Sequence, residues 1–299
     1  MIEHEQSLPL GKKSTYINHY DASLLFAIPR ISKRQEIGVD DNNLPFFGFD
    51  IWNHYEVSWL NLNGKPMIAI AEIIYPCTSK NIIESKSMKL YFNSFNNTKF
   101  DNITELENII KTDISNKILA NVECSLIPIN CHNTFSYIKS SNYNPSVIYD
   151  PSHNYQCLDE LDIVCTSYLP KPEYLHLDQN NNNITEYLYS NLLKSNCLVT
   201  NQPDWGSIYI IYSGNKINHP SLLKYIVSLR DHNEFHEQCV ERVFMDIMQY
   251  CQPKELTVYA RYTRRGGLDI NPYRSNNNNT NLLQNIKQIS KLNLRLIRQ

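Results

Sequence analysis

The string ESKSMKLYFNSF, Glu84–Phe95, decides how the fold is read. Its core, Ser87 to Phe95, follows the order Ser, apolar, two residues, Tyr, apolar, one residue, Ser, apolar. The same order returns at an offset of 134, from Ser221 to Leu229. Around the first copy, Ile82–Phe95 and Ile103–Ile118 have the spacing of amphipathic helices. Upstream, Glu56–Leu62 and Lys65–Ala71 flank Asn63-Gly64, a hairpin signal because both turn residues tolerate positive φ. Around the second copy, Ser207–Tyr212 and Leu256–Tyr262 read as strands. Pro220–Cys251 reads as a long helical stretch broken near Arg230–Asn233. Strands followed by helices, twice over, predict a duplicated α+β module. Polar sequence around Cys131–Ser152, with Pro145 and Pro151, puts the boundary near residue 150, giving halves 1–150 and 151–299.

Composition narrows the function classes. The 299 residues carry a formal net charge of −2, without the basic excess of a phosphate-tracking nucleic-acid binder, so no nucleic-acid partner is expected. The longest apolar run, Met67–Tyr75, is interrupted by Glu72 and falls short of a membrane span. The first residues lack the pattern of a secretory signal, which predicts a cytoplasmic location and reduced cysteines. The 8 cysteines form no CxxC pair, which argues against a zinc ribbon. Asparagine tracts at 180–183 and 276–279 read as solvated loops.

Four segments carry chemistry. Cys197 precedes a turn signal, Pro203-Asp204-Trp205-Gly206, which could bring Asp204 back to the thiol as a proton donor or acceptor. A buried cysteine beside an ordinary turn aspartate has the same spacing. His232, His236 and Cys239 would share one helix face as a metal-ligand row, although Asn233 stands where HExxH needs its glutamate. Alternatively, His236 relays a proton and Glu237 accepts two N–H bonds from a guanine-like edge. Glu84 in a first helical turn, with Lys86 and Lys89 on one face and free backbone amides, suits a phosphate or an ordinary charged helix start. Arg261, Arg264, Arg265 and Arg274 surround Gly266-Gly267, which suits close approach to a phosphate or a solvated turn.

Together these strings resemble the QueF family, the NADPH-dependent nitrile reductases of queuosine biosynthesis. The resemblance is carried by Glu84–Phe95, Leu192–Ser207, His232–Arg242 and Tyr259–Asn276, and by the N-terminal blocks Leu8–Tyr16 and His19–Arg30 of the longer, two-module form. It implies tandem tunnelling-fold (T-fold) modules, each an antiparallel sheet packed with two long helices. It implies reduction of 7-cyano-7-deazaguanine to 7-aminomethyl-7-deazaguanine with two NADPH and no metal. Cys197 would form a covalent thioimide, Asp204 would donate a proton, and His236 would act as relay. Glu84, Ser85 and Glu237 would hold the substrate, and Ser85, Lys86, Lys89, Arg264, Arg265 and Gly266 the NADPH. The ESK motif lies in one half and the cysteine in the other, which implies a site where modules meet and a homodimer. The alternatives are a zinc-dependent cyclohydrolase of the same fold, a purine-binding module without catalysis, and, more distantly, a papain-like cysteine hydrolase.

Overall fold

In chain order the first strands and α-helix are β1 (Ala27–Pro29), α1 (Ile31–Glu36), β2 (Phe47–Leu60), β3 (Pro66–Pro76) and β4 (Asn81–Ile83), and β2 and β3 each carry a run of consecutive buried residues. A computed structural model describes residues 16–129, 155–179 and 183–277. Residues 8–15 of the first N-terminal block, the Cys131–Ser152 segment up to residue 154 with its boundary, and asparagines 180–182 and 278–279 lie outside the described residues. The fold is mixed α+β and divides into two units. The first comprises Met1–Ser32, Ile51–Asn144 and Arg264–Asp269, and the second Lys33–Asp50, Pro145–Thr263 and Ile270–Gln299.

In the first unit, β2 and β3 form the expected hairpin, but through a different turn. Gly64 N–H donates to the Asn61 carbonyl at 2.8 Å, and Asn61 N–H to the Lys65 carbonyl at 2.9 Å. Gly64 alone takes positive φ (79°), so the loop is a turn followed by a glycine bulge rather than a two-residue turn over Asn63-Gly64. β3 also pairs antiparallel with β5 (Glu123–Pro128). The predicted helix over Ile82–Phe95 begins later, as α2 (Ser85–Ser94), because Ile82 and Ile83 pair with Ile28 and Ala27 of β1. The next helix, α3 (Ile103–Ile118), has the predicted bounds. Asn102 caps it through Glu105 N–H, and Leu106, Ile110, Ile114 and Ile118, one turn apart, form its buried stripe.

The second unit runs in chain order through β6 (Gln156–Cys157), β7 (Asn183–Asn196), β8 (Pro203–Asn215), α4 (His219–Ser228), α5 (His236–Cys251), β9 (Glu255–Tyr262) and, from Ile270 onward, β10 (Leu268–Ser275). β7, β8, β9 and β10 pair antiparallel in sequence, and the short β6 adds to β7 in parallel. The helical stretch breaks at a 3-10 turn, Leu229–Asp231. β10 is the element the sequence concealed: an arginine- and proline-containing segment, read as a turn, is buried along its whole length. No described helix is long and apolar enough to cross a membrane.

The sequence echo has a structural meaning. In the first unit Ser87 Oγ donates to the Glu84 carbonyl (2.6 Å), Tyr91 hydroxyl to Asp113 (2.7 Å), and Ser94 Oγ to the Tyr91 carbonyl (2.6 Å). In the second, Ser221 Oγ donates to the Asn218 carbonyl (2.8 Å), Tyr225 hydroxyl to Asp246 (2.6 Å), and Ser228 Oγ to the Tyr225 carbonyl (2.7 Å). Each serine ties one end of a short helix, and each tyrosine reaches an aspartate on the following 16-residue helix. The repeated letters are therefore the polar fasteners of a helix pair, needed because buried hydroxyls must find partners.

Candidate active site

In the second unit the site begins with strand pairing. β7 and β8 match Ser195 with Asp204 and Asn196 with Pro203, so Cys197 leaves β7 just where β8 begins. Asp204 lies inside β8 rather than in a turn, and the strand ladder brings it beside the cysteine loop. That loop is closed by Cys197 N–H to the Gln202 carbonyl (2.8 Å) and Asn201 N–H to the Cys197 carbonyl (3.1 Å). Cys197 and Asp204 are 6% and 3% exposed, which excludes bulk water from both.

α5 supplies the next groups. His236 is its first residue and Glu237 follows in the first turn, where a carboxylate complements the helix dipole. His236 Nε2 lies 3.4 Å from Asp204 Oδ2. Its other ring nitrogen, Nδ1, is buried with no hydrogen-bond partner among the described residues, so it remains available to an incoming polar group. The ring lies flat on Tyr262 of β9, centroids 3.8 Å apart and planes 5° apart. Burial, reinforced by Cys239, holds the Tyr262 phenol well above its ordinary pKa, so Tyr262 is a neutral platform. No local sequence signal marked Tyr262; its partner comes from another element.

The metal-ligand row does not form. His232 precedes the helix in extended backbone and pairs through Nε2 with Glu234 (2.9 Å), while Glu234 also accepts from Arg242 Nε (2.7 Å). Cys239 points into the core, where burial pushes its thiol up to about 12. The i, i+4 argument fails because the helix starts at His236, so His232 has no place on its face.

The first unit holds the remaining candidates. Glu84 is the N-cap of α2 rather than a member of its first turn: Oε1 accepts from Lys86 N–H and Oε2 from Ser87 N–H, both at 2.8 Å. The amides expected to be free for a phosphate are thus occupied by the cap. Burial raises the Glu84 pKa, against the lowering effect of those two amides. Ser85 and Lys86 follow, half-buried. Lys89 Nζ donates to the Gly266 carbonyl (2.7 Å) and to Glu56 (3.1 Å), and the Arg264 guanidinium sits 4.3 Å above the Tyr55 ring. Gly266 and Gly267 both take positive φ (60° and 79°), inside a turn closed by Arg265 N–H to the Leu268 carbonyl (2.8 Å). The glycine pair is therefore the tight hairpin turn before β10. A Cβ on Gly266 would meet Lys89 Cδ at 3.0 Å.

Of the four arginines near that turn, Arg261 is buried on β9, and Arg274 is not a surface group either. It is fully buried, paired with Asp50 (2.9 Å) and Glu241 (2.8 Å). Arg34 also binds Glu241 (2.8 Å), so the carboxylate is shared by two guanidinium groups.

A thiol, a buried carboxylate and a histidine can add sulfur to an electrophilic carbon and deliver a proton to its neighbour. The cationic side chains of the first unit suit phosphate. Residues 16–126 match the family model described as "Nitrile reductase, 7-cyano-7-deazaguanine-reductase N-term", and residues 203–281 match that described as "QueF-like protein". The chain is 54% identical over 266 residues to a protein of Legionella pneumophila (strain Lens), covering 89% of this chain and 88% of that one. It is 52% identical over 286 residues to a protein of Acidovorax ebreus (strain TPSY), covering 93% and 95%. It is 51% identical over 278 residues to one of Ralstonia nicotianae, covering 93% and 96%. All three relatives carry the name NADPH-dependent 7-cyano-7-deazaguanine reductase.

Proposed function

Because the chain belongs to the QueF family, we propose that it reduces the nitrile of 7-cyano-7-deazaguanine to the aminomethyl group with NADPH, in the queuosine pathway. The observation that carries the chemistry is the placement of Cys197 at the end of β7, with Asp204 at the start of the paired β8 and His236 Nε2 3.4 Å from the Asp204 carboxylate.

In this reading the Cys197 thiolate adds to the nitrile carbon, forming a C–S bond and a covalent thioimide. The nitrile nitrogen takes the proton, supplied by Asp204, because an anionic nitrogen is too basic to persist. His236 Nδ1 would face the nitrogen as it becomes an amine and deliver protons to it, replenished at Nε2 from the Asp204 side. Glu237 accepts the ring N–H groups of the deazaguanine, and Glu84 and Ser85 assist.

The residues of the first unit fit NADPH on two observations. Lys89 and Gly266 meet at 2.7 Å, and a side chain at Gly266 would crowd Lys89. Lys86, Lys89, Arg264 and Arg265, with Ser85 and Gly266, would hold its phosphates. When bound, NADPH supplies hydride, two equivalents for a nitrile taken to an amine. Two tandem T-fold modules are our reading of the architecture, supported by the recurring Ser–Tyr–Ser fasteners. A homodimer is proposed from the division of motif blocks between the halves, and sedimentation at twice the 35.0 kDa chain mass tests it.

The deciding experiment follows NADPH absorbance with 7-cyano-7-deazaguanine and records the intact mass of protein plus substrate without NADPH. Two NADPH consumed per substrate, and an adduct absent in Cys197→Ala, are the expected results. No oxidation and no adduct would overturn the assignment.

A further inference from the structure

Asn233 sits in a segment singled out for its histidines, and neither the catalytic roles nor the cofactor contacts above use it. Its surroundings bear on Cys197. Asn196, the residue before the cysteine, is gripped through its backbone: its N–H donates to the His232 carbonyl (2.8 Å), and its carbonyl accepts from Glu234 N–H (3.0 Å). The side chain of Asn233 then reaches both ends of the cysteine loop. Its Oδ1 accepts from Asn196 Nδ2 at 3.2 Å, and its Nδ2 donates to Asn201 Oδ1. Asn201 closes that loop in the left-handed region (φ 56°). Asn233 is itself held still, because the next residue, Glu234, is buried and bound by Arg242.

We propose that Asn233 is a positioning residue for Cys197: its amide ties Asn196 to Asn201 and so sets the shape of the loop that presents the thiol. Only a primary amide of this length has one acceptor and one donor to serve the two ends together. Aspartate keeps the acceptor and loses the donor; alanine loses both. A loop free to open would still let the substrate bind, but would lower the fraction of time the sulfur faces the nitrile carbon, and small misplacements of a nucleophile are costly in rate.

The proposal rests on Cys197 being the nucleophile, and the test separates the two. Stopped-flow absorbance with 7-cyano-7-deazaguanine alone gives the rate of adduct formation, and its concentration dependence gives the dissociation constant. In Asn233→Ala the rate is expected to fall by about tenfold or more, with the dissociation constant within about threefold of the parent. Asn201→Gly keeps the left-handed backbone while removing the acceptor, and is expected to slow the same step. The double variant is expected to be no slower than Asn233→Ala, since the link that Asn201→Gly removes is already absent there. A parental rate in Asn233→Ala, effects that multiply in the double variant, or a dissociation constant and melting temperature that worsen in step with the rate would overturn the clamp. If Asn233→Ala does not fold, Asn201→Gly at its exposed position decides alone. An adduct missing from the parent, or present in Cys197→Ala, would instead remove the nucleophile assignment and the clamp with it.

Discussion

The imidazole of His236 lies face to face on the phenol ring of Tyr262, 3.8 Å apart at 5°, while its Nε2 points at the Asp204 carboxylate 3.4 Å away. The stack fixes the ring plane and the carboxylate fixes the rotation within it. Tyr262→Phe keeps the platform and is expected to retain kcat within about threefold. Tyr262→Leu removes a contact of roughly 0.5–1.5 kcal/mol and is expected to lower kcat up to about tenfold, with KM little changed. Steady-state kinetics on both variants checks this; equal losses in the two would assign the effect to the hydroxyl instead.

Asp204→Asn retains the size and much of the hydrogen bonding of the carboxylate but cannot donate its proton. Adduct formation is expected to slow by about 10²–10⁴-fold while substrate affinity stays close to the parent. Stopped-flow absorbance without NADPH reads both quantities, and an unchanged rate would remove Asp204 as the acid.

His54 gives a pH dependence of stability. It is fully buried on β2, with Nδ1 3.1 Å from the Gly267 carbonyl and its ring against Phe92, and burial lowers its pKa from 6.5 to about 4. A histidine that protonates more readily when unfolded leaves the folded state favoured at higher pH. Stability is therefore full above about 6.5 and falls as pH drops toward 4, by about 3 kcal/mol in total. Denaturant melts of the parent and His54→Gln between these limits test this: the variant is expected to lose most of the slope.

Arg274 joins Asp50 and Glu241 with none of its side chain exposed. Arg274→Met leaves Asp50 buried without this partner, and is expected to cost about 3–5 kcal/mol in chemical unfolding. A loss below about 1 kcal/mol would mean that solvent reaches the carboxylates once the guanidinium is gone.

Local rules carried far in this chain. The stripe of Leu106, Ile110, Ile114 and Ile118 defines α3 without reference to anything beyond it, because 3.6-residue periodicity is a property of the segment itself. The β2–β3 hairpin and the break between α4 and α5 were legible for the same reason, as was the Ser–Tyr–Ser echo. The glycine pair at 266–267 was read as either a close approach to phosphate or a turn, and it forms the turn before β10.

Other features were decided only by tertiary structure. Ile82 and Ile83 became a strand because β1 offers them hydrogen bonds, and this moved the helix start and made Glu84 its cap. β10 is buried because β9 pairs with it and because Asp50 and Glu241 neutralise its arginine. Asp204 meets His236, and His236 meets Tyr262, across three elements distant in sequence. The sequence by itself determined which segments are amphipathic and which residue types are present to react. The long-range pairing of strands decided which of those residues meet, since hydrogen-bond ladders and charge neutralisation depend on partners that no local pattern encodes.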